Sequence, residues 1–311
     1  MGYEDFINYM ADGLQAEFGT ELDVQRQVLM RNNSEEHMGL SMNTPGSNVA
    51  PVIDLTYAWQ SHQNGTDAEI ILREMIASYR EQMHRIPTFP TTLSDFSEAR
   101  SYLIVKLIHH DKNAGLLEYT PHRDFMDLAV VYCLFFESVN HCLASAVISY
   151  DNMKAWNVSE EELHAAAMEN AVRLLPPSLS SMDQLVCEIS LDGIIENSSP
   201  YEAGTPTHMN IAQQPLPAPM YILTNRKKYL GAASLLYPQI LERFQLYIRG
   251  GFYLLPSSIH EVILIPKKTG IDPLYLRNMV RDINRISTPT EEILSDEIYE
   301  YIPGKGLRLF D

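Results

Sequence analysis

The stretch LLPSSIHEVILIP, Leu254–Pro266, decides between two folds for the C-terminal part of the chain. Read as a helix, His260-Glu261 would open the His-Glu-x-x-His signature of zinc peptidases, which needs a second histidine four residues on; that position is Leu264. Read as β structure, it is a run of β-branched and apolar residues bounded by Gly250-Gly251 and Pro266, forming two short strands or one bent strand. The second reading is the one the residues support. On a strand Ser258, His260 and Val262 share a face and Glu261 points to the other. Ser258 and His260 are thus the candidate catalytic pair, nucleophile and base. Residues two apart on a strand are separated by roughly 7 Å at the backbone, however, and no Gly-x-Ser-x-Gly elbow surrounds the serine. His260 is expected instead to be a partly buried histidine hydrogen-bonded to backbone or to a carboxylate.

Outward from this stretch, MYILTN reads as a strand and AASLLYPQILERFQLYI as helical on both sides of Pro238. Asp272-Pro273 is an N-cap followed by proline at the first helical position, and Thr288-Pro289 with Glu291 reads as a further helix start. The basic turn Arg226-Lys227-Lys228 lacks the glycines of a phosphate-binding loop. Upstream, Phe6, Met10, Leu14 and Phe18 are spaced four apart, as one face of a helix requires. Leu22, Val24, Val28 and Met30 then alternate, RNNSEEHMG supplies turn chemistry, and Met38, Leu40 and Met42 resume the alternation, which predicts a hairpin. A helix is expected over 67–82, with Ile70, Ile71, Glu74 and Ile76 bracketing its buried side. ARSYLIVKLIHHD should pair as a strand with DFMDLAVVYCLFFE, and Ser159 with Glu162 forms a capping box that starts a helix near Glu160.

These segments predict an α+β fold of mixed modules, short antiparallel sheets packed with amphipathic helices. The expected division is an N-terminal module over 1–90, a middle module over 91–197, a proline-rich linker or loop over 198–219, and a C-terminal module over 220–311. His109, Asp111, His122 and Asp124 are the candidate metal ligands, imidazole and carboxylate groups that a hairpin would bring together. Consecutive His109 and His110 must lie on opposite faces of any strand. Cys133, Cys142 and Cys187 show no zinc spacing and are expected as reduced structural thiols. No cofactor motif is present, and none is expected.

The net charge is −17 over 311 residues, unevenly spread. Residues 220–311 carry 12 Lys and Arg against 10 Asp and Glu, which leaves 11 against 30 in residues 1–219. That acidic portion would repel a phosphate backbone, so direct nucleic-acid binding is not expected. No apolar run reaches the roughly 18–20 residues of a membrane span, and the acidic start MGYEDFINYMADG lacks the basic region of a secretion signal. A cytoplasmic setting is therefore expected. The function expected is that of a non-catalytic accessory or regulatory protein docking a protein partner with a basic surface. Two alternatives compete with it. One is an acidic mimic of nucleic acid that inhibits a nucleic-acid-handling complex; the other is a hydrolase or metal-dependent enzyme using Ser258 and His260 or the cluster from His109 to Asp124.

The stretches NVAPVIDL (Asn48–Leu55), NAGLLEYTPHRDFMDLAVVY (Asn113–Tyr132), YILTNRKKYLGAASLLYP (Tyr221–Pro238), LPSSIHEVILIP (Leu255–Pro266) and PTEEILSDEIYEY (Pro289–Tyr301) together resemble the bacterial family called domain of unknown function 5688. The resemblance runs over nearly the whole chain. It implies a lineage among gut-dwelling Firmicutes, a cytoplasmic setting and an association with mobile elements, and it transfers no catalytic or ligand-binding residue. The segment from Asp127 to Leu175 is similar, more loosely, to a second Firmicutes family.

Overall fold

The structure is a computed structural model that describes residues 1–44, 52–83, 95–137, 143–182, 220–256 and 258–311. Its contacts divide the chain into two units, Met1–Leu93 with Phe135–Ser145, and Ser94–Leu134 with Ala146–Asp311. The fold is α+β, with small antiparallel sheets among the described residues.

In the first unit, helix α1 (Tyr3–Phe18) buries Phe6, Ile7, Met10 and Leu14 on one stripe. Strands β1 (Asp23–Met30) and β2 (Glu36–Asn43) form the predicted hairpin, and β3 (Val52–Asp54) extends the sheet on the far side of β2. Helices α2 (Thr56–Gln63) and α3 (Ala68–Met83) follow. Leu40, Met42, Leu55, Ile71 and Tyr79 complete the core with the α1 stripe. Each such apolar side chain contributes about 1.5–3 kcal/mol on burial. The expected alternation on β1 is only half realised, because the core reaches Val24 while Val28 and Met30 are exposed on this edge strand. On α3 the buried stripe runs through Ile71 and Tyr79, with Leu72, Met75 and Ile76 partly buried. Ile70 faces solvent, which shifts the expected face by one residue.

Two further sheets follow, a smaller one lying mostly in the second unit and a larger one wholly in it. In the smaller one, β6 (Leu128–Glu137) lies between β4 (Leu103–His109) and β5 (His122–Phe125), and β7 (Leu143–Val147) also pairs with β6. All of β6 except Glu137 is buried, the pattern of a strand covered on both faces. Alternation assigns the coverings. Ile108, Ala129 and Val131 pack with Leu117 of the short helix over Ala114–Leu117, whereas the Tyr132 hydroxyl on the opposite face meets His164 Nδ1 of α7 at 3.1 Å. The capping box Ser159–Glu162 starts that helix, which spans Glu160–Leu174. Here α4, α5 and α6 are the short helices Phe96–Ala99, Ala114–Leu117 and Tyr150–Ala155.

The larger sheet has six strands in the order β13-β12-β10-β11-β9-β8. These are β8 (Pro177–Ser181), β9 (Tyr221–Asn225), β10 (Phe252–Leu255), β11 (Val262–Pro266), β12 (Tyr299–Ile302) and β13 (Gly306–Leu309). Leu254–Pro266 is thus strand, loop, strand: the β10–β11 pair with Ser258–Glu261 in the connection. Helix α9 (Pro273–Ile286), started by Asp272 and Pro273, packs Leu276 and Val280 against Leu255, Ile263 and Ile265. Phe244 of α8 (Ile240–Ile248) stacks edge-on against Phe252 on the other face, with ring centroids 4.9 Å apart. Thr288-Pro289 starts only a single 3-10 turn, Thr290–Glu292, in place of the expected helix. Ile293, Leu294 and Ile298 then lead the chain into β12, and Leu294 and Ile298 are buried.

The expected separation of a middle and a C-terminal module gives way to one unit over 94–134 and 146–311. Its cause is β8, which pairs with β9 from Pro177↔Asn225 to Ser181↔Tyr221 and so makes residues before the 198–219 segment an edge of the sheet that follows it. Pro177 suits that place, since an edge strand loses no ladder bond at a proline. The expected linker 198–219 lies outside the described residues, as do Cys142 and Cys187. Among the described residues no helix is long and apolar enough to cross a membrane.

Candidate functional site

The Ser258–His260 pair does not assemble as nucleophile and base. Off the strands, Ser258 Oγ turns back and accepts the backbone N–H of His260 at 3.1 Å. The imidazole points elsewhere, with Nδ1 accepting the Leu230 N–H at 3.2 Å and Nε2 lying 3.9 Å from Glu292 Oε1. The loop after β9 is fastened to the same place. Thr224 Oγ1 donates to the His260 carbonyl at 2.7 Å, and the Ala232 N–H donates to the Ile259 carbonyl at 3.2 Å. Asn225 Oδ1 accepts the N–H groups of Lys227 and Tyr229, which winds the basic turn tightly enough to present Leu230 to the ring. His260 is a clasp between TNRKKYLG and the β10–β11 connection.

Burial, reinforced by the positive charge of Lys106, pushes the His260 pKa down to about 4. The sign follows directly: between about 4 and the ordinary value near 6.5 the unfolded chain binds a proton that the folded chain refuses. The neutral-ring contribution is complete above pH 6.5 and is lost as pH falls through that window. We expect stability to drop by on the order of 2–3 kcal/mol from pH 7 to pH 4 from this group alone. Urea midpoints across that range should show the drop in the native protein and lack it in His260→Gln; equal slopes would contradict it.

Of the candidate metal ligands His109, Asp111, His122 and Asp124, the structure brings His122 and Asp124 together, while His109 lies apart and Asp111 reaches them only through His110. Facing pairs Ile108↔Ala129 and Asp124↔Ala129, with His122↔Val131, put Ile108, His122 and Asp124 on one face of the sheet. Two residues beyond Ile108, His110 returns to that face. The ligand atoms of His110, His122 and Asp124 all lie within 4.8 Å of one another. His110 Nε2 is 3.5 Å from Asp124 Oδ1, and the His110 and His122 ring centroids are 6.3 Å apart. Asp111 holds His110 Nδ1 at 2.9 Å, and the Thr120 carbonyl holds His122 Nδ1 at 2.9 Å. Spacing cannot choose between adjacent histidines; the register does, and it selects His110.

His109 lines an open pocket of about 580 Å³ together with Asp127, Arg281, Asn284, Arg285 and Asp296 among others. Burial, then the charge of Lys112, lowers its pKa. Beside it a network ties the β5–β6 turn to the segment before β12. Ser295 Oγ donates to Asp127 Oδ2 at 2.5 Å, and the Tyr299 hydroxyl donates to Asp127 Oδ1. Asn284 Nδ2 donates to the Ser295 carbonyl and to Asp296 Oδ1, both at 2.9 Å, and Lys112 Nζ donates to Asp296 Oδ2 at 3.2 Å. Burial first and the Asp127 carboxylate second hold the Tyr299 phenol far above its ordinary pKa, so it remains a donor. Both Asp127 oxygens are occupied by hydroxyl donors, so this network works as a fastening. No spacing signal marks it, because its partners are 168 and 172 residues apart. Cys133 is fully buried and its thiol is pushed up to about 11 by that burial, which keeps it protonated.

The chain matches the family described as Family of unknown function (DUF5688) over residues 3–302. No curated protein and no solved structure matches it.

Proposed function

The chain belongs to the DUF5688 family, and from that premise we propose a non-catalytic accessory or regulatory protein of the cytoplasm that acts by docking a protein partner of basic surface. The observation that carries this reading is the charge imbalance, 30 acidic against 11 basic residues before Met220. Exposed carboxylates on α1 and α7, among them Asp12, Glu161 and Glu169, support it. So does the engagement of Ser258 and His260 in backbone hydrogen bonds, which withdraws the serine–histidine pair from hydrolytic chemistry. A surface of one sign steers a partner of the other and loses its hold as salt shortens the range of the field.

The test is affinity capture from native cytoplasm in parallel at roughly 0.05 and 0.5 M salt, where screening lengths differ about threefold. Captured partners are identified and rebound in pure form. We expect a basic protein that binds at low salt, is released at high salt, and binds more weakly to the doubly neutralised Glu161→Gln, Glu169→Gln variant. Binding indifferent to both salt and charge would overturn the reading.

A further inference from the structure

We propose that His110, His122 and Asp124 bind one divalent first-row transition metal ion, with Asp111 and the Thr120 carbonyl orienting the two imidazoles. The argument starts from the ring nitrogens. A backbone carbonyl only accepts, so the 2.9 Å contact from Thr120 O requires the proton of His122 on Nδ1. The carboxylate of Asp111, 2.9 Å from His110 Nδ1, sets the same tautomer there. In both rings Nδ1 is engaged, so Nε2 is the nitrogen left to act as a ligand. At His110 that nitrogen faces Asp124 Oδ1 across 3.5 Å, and the ligand atoms of His110, His122 and Asp124 all lie within 4.8 Å of one another, a convergence of three donors that one metal ion can satisfy. An imidazole whose other nitrogen donates to a carboxylate or a carbonyl is the recurrent setting of a histidine metal ligand, because that bond fixes the ring and raises its basicity.

The donor set selects the ion. Two imidazoles and one carboxylate suit zinc, iron or manganese, whereas calcium and magnesium prefer oxygen alone. Donors about 2 Å from a zinc ion stand roughly 3.3 Å from one another. The ligand atoms now stand within 4.8 Å of one another, and the Asp124 side chain, 78% exposed, is the least enclosed of the three. His122 and Asp124 are held two apart on β5, and His110 follows the end of β4, with its N–H bonded to the Asp127 carbonyl at 2.9 Å. Three protein ligands at a solvent-facing edge leave coordination positions open, the arrangement of a site that takes up water or an exogenous ligand rather than a closed structural one.

Full-length protein stripped of metal would be titrated with Zn²⁺ by calorimetry and with Co²⁺ by visible absorption. We expect one equivalent of each, with Co²⁺ bands characteristic of nitrogen coordination. His110→Ala and His122→Ala should each weaken binding at least 100-fold, and the exposed Asp124→Asn, which leaves the apolar packing untouched, should weaken it as well. Asp111→Asn should weaken it about 10- to 100-fold by freeing the His110 ring. His109→Ala, one residue out of phase, should bind as the native protein does. The proposal fails if no ion binds below millimolar concentration, in which case a proton alone bridges His110 and Asp124. It fails equally if binding survives both histidine substitutions, since the ion would then be held elsewhere.

Discussion

Asp127→Ala is expected to lower the stability of the protein by about 3–5 kcal/mol, because it removes the charged acceptor shared by two buried hydroxyls. Ser295 and Tyr299 are both fully buried, and each donates to a different oxygen of this one carboxylate. A hydrogen bond to a charged group contributes about 1.5–3 kcal/mol net, and an orphaned buried donor costs its desolvation as well. Tyr299→Phe removes donor and demand together and should cost only about 1 kcal/mol. At roughly 2–4 °C per kcal/mol for a unit of this size, the alanine variant should melt about 10 °C lower and the phenylalanine variant a few degrees lower. Thermal unfolding followed by circular dichroism measures both. Two variants of equal, small effect would show that the network around Asp127 does not fasten the segment before β12.

Gly231→Ala should be nearly as damaging for a steric reason. A Cβ at this position would overlap Thr224 Oγ1 and the His260 carbonyl oxygen, and would stand 2.9 Å from the Asn225 nitrogen. None of the three can retreat cheaply. Thr224 and Asn225 are buried on β9, and the threonine hydroxyl is already bonded to the same His260 carbonyl at 2.7 Å. Making room means parting the TNRKKYLG turn from the β10–β11 connection, at the cost of the Leu230–His260 bond. Overpacking of this kind costs about 1–3 kcal/mol or more, and the lost clasp places the expected value near 4 kcal/mol. Gly250→Ala, where an added Cβ meets nothing within 4 Å, should stay within about 0.5 kcal/mol of the native protein. A Gly231→Ala protein that melts with the native one would falsify the close approach.

What could be read in advance depended on the range over which each feature is encoded. The stripe of α1, the β1–β2 hairpin, the Ser159–Glu162 box and the Asp272-Pro273 start are all written within a few residues, and each stands where its local chemistry puts it. Thr288-Pro289-Thr290-Glu291 carries the same local letters yet yields one 3-10 turn. There the pull of Leu294, Ser295 and Ile298 into the core and the sheet overrides the capping preference, as tertiary packing often overrides propensity. β8 carries no local signal, because its five residues gain their ladder from β9, beyond the intervening 198–219 segment.

The sequence by itself determined the α+β character, the family and the imbalance of charge, since composition, short-range periodicity and local stretches suffice for each. It also placed an imidazole and carboxylate cluster at one hairpin. Only the tertiary structure decided that His110 rather than His109 joins His122 and Asp124, that His260 is a clasp, and that Asp127 gathers Ser295 and Tyr299. The reason is the period of a strand: one residue of register moves a side chain to the opposite face. Register and the meeting of residues 168 or more apart follow from packing of the whole unit, which no local stretch contains.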